Sequence, residues 1–126
     1  MILGIGTDLV RVARLEQALA RFGDGFARRI LADAEWLEFL RAARPAHFLA
    51  KRFAAKEAVA KALGTGFRAG MRLADIGVTH DGAGRPGLVY GGVTAEQVRE
   101  RGITASHLSL SDEMDYALAF VVLLRG

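Results

Sequence analysis

The sequence contains no cysteine and only two prolines among its 126 residues. The lack of cysteine excludes a disulfide framework, a thiol nucleophile and a zinc–thiolate site. No apolar run approaches the roughly 20 residues that a membrane-spanning helix needs. Residues 1–4 have no basic region before their apolar stretch, so we expect no signal peptide and a cytoplasmic location.

The composition is that of an ordinary globular chain, with 52% hydrophobic and 25% charged residues. Its length predicts a single domain over residues 1–126. The net charge is +3, and the excess lies in residues 1–61, which carry eleven basic and seven acidic side chains. A locally basic surface favours an anionic partner, although a net charge of +3 is also that of many ordinary surfaces.

The order of predicted elements indicates an α+β fold, with a mainly antiparallel sheet and helices packed on it. We expect a strand at 2–10, helices at 12–22, 26–31, 33–43 and 45–63, strands at 75–80 and 87–90, a helix at 94–101, and a hairpin of 106–111 and 116–124. The last strand is almost continuously apolar, which is typical of a strand covered on both faces and suggests a subunit interface.

Apolar spacing predicts which residues of the shorter helices face the core. They are Val12, Leu15, Leu19, Phe22, Trp36, Leu37 and Leu40. Asp33 and Thr94 are expected to cap the helices that they begin.

The long helix carries charged residues within an apolar stripe. The stripe consists of Phe48, Leu49, Phe53, Val59, Ala60 and Leu63. Glu57 lies at its edge, Lys61 follows one turn later, and Lys56 projects into the stripe. Pro45 suits the first turn, and Gly64 suits a left-handed cap. A surface pair of Glu57 with Lys61 and a functional site both remain open interpretations.

Asp8 and Glu57 are the best candidate pair of carboxylates. Asp8 ends a strand face whose other members, Gly4 and Gly6, permit close approach of another backbone or a ligand. Two hard oxygen ligands with open positions suit Mg²⁺, which keeps waters and takes phosphate oxygens. Asp8 alone is more often a strand-end cap or a turn carboxylate.

Several other residues are candidates for phosphate binding. Arg52, Lys56 and Lys61 supply charge, although each alone is typical of a solvated or paired side chain. The loop of residues 64–66 offers backbone N–H groups. His107 lies on a polar strand face and suits either a structural or a functional role. The chain has no P-loop pattern and no nucleophile elbow.

Taken together, these segments resemble the small bacterial type of 4′-phosphopantetheinyl transferase, the holo-acyl carrier protein synthases. The resemblance extends over essentially the whole chain and rests on residues 4–10, 28–31, 48–58, 64–66, 84–86, 107–110 and 116–117. The most specific part is Phe-x-x-Lys-Glu-Ala-x-x-Lys-Ala at residues 53–62. Asp112 stands where many members have a histidine, which puts any role of that downstream histidine in doubt.

The resemblance implies a reaction and a set of site residues. The phosphopantetheine arm of coenzyme A would pass to a serine of apo-acyl carrier protein, for fatty acid biosynthesis, with Mg²⁺ required and adenosine 3′,5′-bisphosphate released. Asp8 and Glu57 would be the metal ligands, and Lys61 the catalytic cation at the diphosphate. Residues implied to contact coenzyme A are Arg52, Lys61, Gly64, Thr65, Gly66, Arg85, Pro86 and His107.

The resemblance also implies partners. The family is typically a homotrimer with active sites between subunits, and its basic first helix binds the acidic carrier protein. The candidates for that contact are Arg14, Arg21, Phe26 and Arg28. We hypothesise that Mg²⁺ bridges the diphosphate and that Glu57, directly or through a water, accepts the serine proton.

The competing class is a non-enzymatic basic module for an anionic partner such as nucleic acid. That class predicts aromatic residues interleaved with cations on one exposed face. Only 8% of the residues are aromatic, and most belong to apolar stripes. A binding module of this class also gives no chemical reason for the pair of carboxylates Asp8 and Glu57. We therefore expect neither nucleic acid nor a membrane as a partner.

Overall fold

The structure is a computed structural model that describes residues 1–67 and 70–126. In chain order its strands and α-helices are β1 (Ile2–Arg11), α1 (Val12–Phe22), α2 (Asp24–Ile30), α3 (Trp36–Arg41), α4 (Pro45–Leu63), β2 (Ile76–His80), β3 (Pro86–Tyr90), α5 (Gly92–Glu100), β4 (Ile103–Asp112) and β5 (Tyr116–Arg125). Short 3₁₀ segments, Asp33–Glu35 and Leu73–Asp75, precede α3 and β2. No helix within the described ranges is long and apolar enough to cross a bilayer.

The strands form two antiparallel sheets, which confirms the predicted α+β class. One sheet has the order β1-β5-β4, and the other is the hairpin of β2 and β3. In the larger sheet Asp8 lies opposite Ala119, and Ala119 lies opposite Leu110. Because side chains alternate along a strand, these three residues share one face and their chain neighbours share the other.

Helix α4 packs directly on the face of the sheet that carries Asp8. A Cβ atom at Gly4 would stand 1.9 Å from the carbonyl oxygen of Ala62, and one at Gly6 would stand 2.0 Å from that of Ala58. Only glycine allows backbones to approach so closely. The close approach predicted for the glycine face is therefore confirmed, and the approaching element is α4.

The ends of α4 agree with the sequence, whereas the single apolar stripe predicted for this helix does not. Pro45 lies in its first turn, and Gly64 follows it with a left-handed φ of 80°. The helix is buried around most of its circumference, which is why its apolar residues form no clean single stripe. Lys56 is fully buried, as its predicted position in the stripe requires.

The other face of the three-stranded sheet is uncovered. Its exposed apolar side chains, with their exposed fractions, are Ile5 (59%), Leu9 (62%), Leu118 (40%) and Phe120 (45%). Leu9 lies opposite Leu118 in the strand register, so these side chains form one patch. Within one chain β5 is therefore covered on one face only, and the prediction that both faces are covered is not met.

Helix α3 has a different inward face from the predicted one. Leu37 and Leu40 are 61% and 58% exposed, so their predicted inward positions are wrong. Phe39 and Glu35 are buried instead. The inward face of α3 is rotated relative to the predicted one because the carboxylate of Glu35 occupies a core position, which apolar spacing alone does not anticipate.

Three further expectations about the helices are wrong. Phe22 is 61% exposed, because α1 ends there and the chain turns at Gly23, with φ of 67°. Thr94 is buried inside α5, whose cap position is Gly91. Asp33 makes no capping hydrogen bond, because the cap position of its 3₁₀ segment is Ala32.

Candidate active site

Asp8, Glu57 and Lys61 meet where α4 crosses β1. The ammonium of Lys61 donates hydrogen bonds to Asp8 Oδ1 at 3.0 Å and to the carbonyl oxygen of Thr7 at 3.0 Å. The carboxylates of Asp8 and Glu57 are near enough to repel each other. The glycine contacts of β1 produce this arrangement, since they let α4 approach the part of the strand that carries Asp8.

Partial burial raises the pKa of Glu57 above its ordinary value. The negative charge of Asp8 raises this pKa further, while the positive charge of Lys61 lowers it. Two carboxylates and one ammonium leave a net negative site, which favours a cation. Lys61 forms its ion pair with Asp8 and also acts on Glu57 through its charge, so its interaction is not limited to the surface pair with Glu57.

The donor set fits a weakly held magnesium ion. Within residues 1–67 and 70–126 there is no cluster of three or more His, Cys, Asp or Glu side chains that would enclose a metal. Asp8 and Glu57 therefore offer two hard oxygen ligands and leave the other positions to water and phosphate oxygens. Mg²⁺ prefers such a site, whereas structural zinc requires four protein ligands.

The loop after α4 uses its backbone groups to end the helix. The N–H of Gly64 donates to the carbonyl of Lys61 at 3.0 Å, and the N–H of Gly66 donates to the carbonyl of Ala60 at 3.3 Å. These two N–H groups are thus engaged within the chain, and the expectation that they are free for phosphate is wrong. The hydroxyl of Thr65 donates to the carbonyl of Gly66 at 3.2 Å.

Arg52 and Lys56 project into the interior, where both contact Glu35. Lys56 Nζ lies 2.5 Å from Glu35 Oε1, and Arg52 Nε lies 3.2 Å from Glu35 Oε2. Burial lowers the pKa of each cation, and the charge of Glu35 opposes that effect. Arg52 also reaches Glu38 at 3.4 Å, so its charge already has carboxylate partners.

Sequence reasoning missed Glu35. Nothing in its neighbourhood distinguishes it from a surface carboxylate, and its partner Lys56 is distant along the chain. The signal that was present is Lys56 itself, since a lysine inside an apolar stripe requires an acidic partner.

Arg85, Pro86 and His107 belong to other segments of the fold than the carboxylates. Arg85 is exposed in the turn between β2 and β3, and Pro86 begins β3. His107 lies opposite Val122, on the uncovered face of the sheet. Asp8 projects from the face beneath α4. One chain therefore places His107 and Asp8 on opposite faces of the same sheet, and the structure does not bring them together.

The sequence profile of the 4′-phosphopantetheinyl transferase superfamily matches residues 4–121. The chain belongs to this superfamily. A protein of Halorhodospira halophila named holo-acyl-carrier-protein synthase is 55% identical over 126 residues, which cover 100% of both chains. The resemblance inferred from the motifs is therefore confirmed.

Solved structures of superfamily members share the fold. The holo-acyl-carrier-protein synthase of Neisseria meningitidis aligns with a TM-score of 0.94 at 49% identity, covering 99% of this chain and 100% of that one. The Bacillus anthracis synthase, solved in complex with CoA (3′,5′-ADP), aligns with a TM-score of 0.83 at 36% identity, covering 100% of this chain and 99% of that one.

In this member of the superfamily the basic residues predicted to bind a partner lie on α1 and α2. Arg14, Arg21 and Arg28 are exposed, and Phe26 is half-buried. Phe26 lines a concavity of about 520 Å³ together with Phe22, Gly25 and Arg29. Phe22, which was predicted to face the core, is exposed and thus adds apolar surface to a basic region.

Proposed function

We propose that this chain transfers the 4′-phosphopantetheine moiety of coenzyme A to a serine of apo-acyl carrier protein. The holo-carrier protein would serve fatty acid biosynthesis, and a cytoplasmic location stays a prediction. The observation that carries the proposal is the convergence of Asp8, Glu57 and Lys61 at the crossing of α4 and β1. It is supported by the full-length relative named holo-acyl-carrier-protein synthase and by the CoA complex of the Bacillus anthracis enzyme.

In the proposed reaction the serine oxygen attacks the phosphorus that carries the pantetheine arm. A new P–O bond to serine forms, the bond joining the two phosphates breaks, and adenosine 3′,5′-bisphosphate leaves with the electron pair. The serine proton passes to the carboxylate of Glu57, directly or through a water. Partial burial and Asp8 raise the pKa of Glu57, which makes its carboxylate a stronger base than an exposed one.

The chain's own groups supply positive charge and bind the metal. Asp8 and Glu57 would hold Mg²⁺, which supplies neutralisation of diphosphate charge when bound. Lys61 lies beside these carboxylates, and its side chain is 56% exposed to solvent. We assign it the role of stabilising the charge that develops on the leaving 5′-phosphate oxygen of adenosine 3′,5′-bisphosphate.

We also propose that the protein is a homotrimer whose active sites lie between subunits. The apolar patch on the open sheet face is typical of a protein interface. His107 lies on that same face, so a neighbouring copy is the means by which His107 can approach the carboxylates of another chain. Arg52 is buried against carboxylates, and the N–H groups of Gly64 and Gly66 are engaged within the chain. The contacts with coenzyme A that we still propose from the family are therefore Thr65, Arg85, Pro86 and His107.

The acidic carrier protein is proposed to dock on the surface formed by α1 and α2. Arg14, Arg21 and Arg28 supply positive charge, while Phe26 and Phe22 supply an apolar centre. An apolar centre within a charged rim is the usual anatomy of a specific protein contact.

Intact-mass measurement tests the proposed activity. Wild-type protein, coenzyme A, Mg²⁺ and apo-acyl carrier protein should yield carrier protein with one added phosphopantetheine. A carrier protein whose acceptor serine is replaced by alanine is the matched control and should gain no mass. Binding of the carrier protein without any mass change would favour the non-enzymatic module and contradict the proposal.

Sedimentation velocity tests the assembly separately. The wild-type protein should sediment as a trimer, and Phe120→Asp should sediment as a monomer, because a charge at the open face cannot be buried without a partner. Leu37→Asp, at an exposed apolar position on α3, is the control and should remain trimeric. A monomeric wild-type protein with full activity would contradict the proposed assembly.

A further inference from the structure

A buried ion cluster lies beside Glu57, and the proposed reaction does not use it. Its members are Glu35, Lys56 and Arg52, which are 1%, 0% and 3% exposed. Charged side chains are seldom buried to this degree unless they are paired. The ammonium of Lys56 has two acceptors, Glu35 Oε1 at 2.5 Å and the carbonyl oxygen of Ile30 at 2.5 Å.

Both carboxylate oxygens of Glu35 are engaged, and their partners come from separate parts of the fold. Oε1 accepts a hydrogen bond from the backbone N–H of Ala32 at 2.8 Å in addition to the one from Lys56. Oε2 accepts one from the N–H of Val78 at 3.0 Å and lies 3.2 Å from Arg52 Nε. One carboxylate thus joins α4, strand β2 and the segment after α2.

Such a cluster constrains geometry more than it adds net stability. A buried ion pair is often no more stabilising than well-packed apolar side chains of the same volume. Each of its charges must nevertheless keep a counter-charge nearby, because an unpaired buried charge is very unfavourable. The cluster therefore permits few relative arrangements of the elements that it joins.

The position of Lys56 connects the cluster to the site. Lys56 and Glu57 are consecutive, so their side chains leave α4 about 100° apart. Holding Lys56 Nζ at two acceptors limits rotation of α4 about its axis, and that rotation decides the direction of Glu57. On the other side, β2 pairs with β3, which begins at Pro86, a proposed coenzyme A contact.

We propose that Glu35 and Lys56 are positioning residues for the transfer reaction. Their ion pair holds α4 and the β2–β3 hairpin in one relative arrangement and keeps Glu57 directed toward Asp8. The inference rests on the proposed function for its kinetic consequences, but its consequence for metal binding depends only on Asp8 and Glu57.

Three variants test the proposal. Lys56→Met removes the ammonium from a side chain of similar length. Glu35→Gln keeps the shape but turns an amide N–H₂ group toward donors that now lack an acceptor. The double variant removes both charges together and leaves Arg52 with Glu38. Leu49→Ala is the control, because it destabilises the same helix through a cavity at a fully buried position outside the cluster.

The readouts are Tm, the affinity of the folded protein for Mn²⁺, and kcat and KM for coenzyme A well below Tm. Both single variants should have an affinity for Mn²⁺ and a kcat that are each about tenfold lower than those of wild type. This is the usual effect of losing an outer-shell partner of a metal ligand. The Mn²⁺ affinity and kcat of the double variant should be nearer to the wild-type values than those of Glu35→Gln, because the double variant leaves no unpaired cation. Leu49→Ala should lower Tm while Mn²⁺ affinity and kcat stay at the wild-type values.

The proposal is overturned if the cluster variants behave like Leu49→Ala, with lower Tm but unchanged Mn²⁺ affinity and kcat. If Lys56→Met does not fold, the same comparison is made with the double variant and Glu35→Gln. Failure of the proposed function is a distinguishable result. In that case the wild-type protein modifies no carrier protein, while the Mn²⁺ affinities still differ between the cluster variants and the control.

Discussion

Lys61→Met tests whether the ammonium of Lys61 and a dication compete for Asp8. The ammonium lies 3.0 Å from Asp8 Oδ1, so a dication that uses this oxygen must displace it. Methionine keeps much of the length of the side chain but carries no charge. We therefore expect Lys61→Met to bind Mg²⁺ and Mn²⁺ more tightly than wild type when coenzyme A is absent.

The structure sets the size of this effect. Two unit charges 3.0 Å apart attract by about 1.4 kcal/mol at the dielectric constant of water. Lys61 is 56% exposed, and pairs of that kind contribute about 0.2–1 kcal/mol once side-chain ordering is included. A gain of roughly 0.5–1 kcal/mol corresponds to about two- to fivefold tighter metal binding. The transfer rate should change in the opposite direction, falling roughly 100-fold, because the positive charge beside the leaving phosphate oxygen of adenosine 3′,5′-bisphosphate is lost.

Calorimetric titration with Mg²⁺ at low ionic strength, together with Mn²⁺ binding by electron paramagnetic resonance, measures the first effect. Lys51→Met is the matched control. Lys51 lies on the same helix and pairs with Asp112 at 3.9 Å, so its removal changes the net charge equally without touching Asp8. Unchanged or weaker metal binding by Lys61→Met would refute the competition, and an equal gain in Lys51→Met would assign it to general charge.

Three further predictions concern the remaining parts of the site. In metal-free protein Glu57→Gln should raise Tm near pH 8, and the gain should fade as the pH falls through the pKa of Glu57, because burial and Asp8 raise that pKa and so disfavour the charged form. Inactive Asp8→Ala and inactive His107→Ala, refolded together in equal amounts, should recover about a quarter of the wild-type activity if each site of a trimer takes these residues from different chains. Arg14→Glu and Arg21→Glu should each weaken carrier-protein binding at low salt and have a smaller effect at high salt, because exposed charges are screened.

Each of these outcomes has a result that would contradict it. A Tm difference for Glu57→Gln that grows toward low pH would mean that the charged form of Glu57 is the favoured one in the fold. Mixed variants that stay inactive although they form trimers would place Asp8 and His107 in one chain's site, or in none. Equal carrier-protein affinity for wild type and Arg21→Glu at low salt would exclude α1 as the docking surface.

Much of the fold could be predicted because it depends on neighbours along the chain. Pro45 and Gly64 mark the ends of α4 by their own backbone preferences. The alternation of residues 106–111 predicts β4, and the run after Tyr116 predicts β5. The glycines before Asp8 predict a close backbone contact without naming the approaching element. These signals act within a few residues and can therefore be read from the sequence alone.

The errors occurred where the surroundings of a residue, and not its spacing along an element, decided its burial. Glu35 takes a core position because Lys56, on α4, supplies its counter-charge. This changes which face of α3 points inward. Phe22 was assigned to the core by its spacing, but the turn at Gly23 leaves it exposed. Spacing along one element carries no information about which other element covers it.

For this protein the linear order of residues was enough to establish the α+β class and the family and to propose Asp8, Glu57 and Lys61 as site residues, but it did not identify Glu35. It left open which of those charges meet. The tertiary structure decided that Lys61 contacts Asp8, that Lys56 is held inside by Glu35, and that His107 lies on the sheet face opposite Asp8. The physical reason is that a charge is satisfied by its nearest partner in space, and folding brings together partners that lie far apart along the chain.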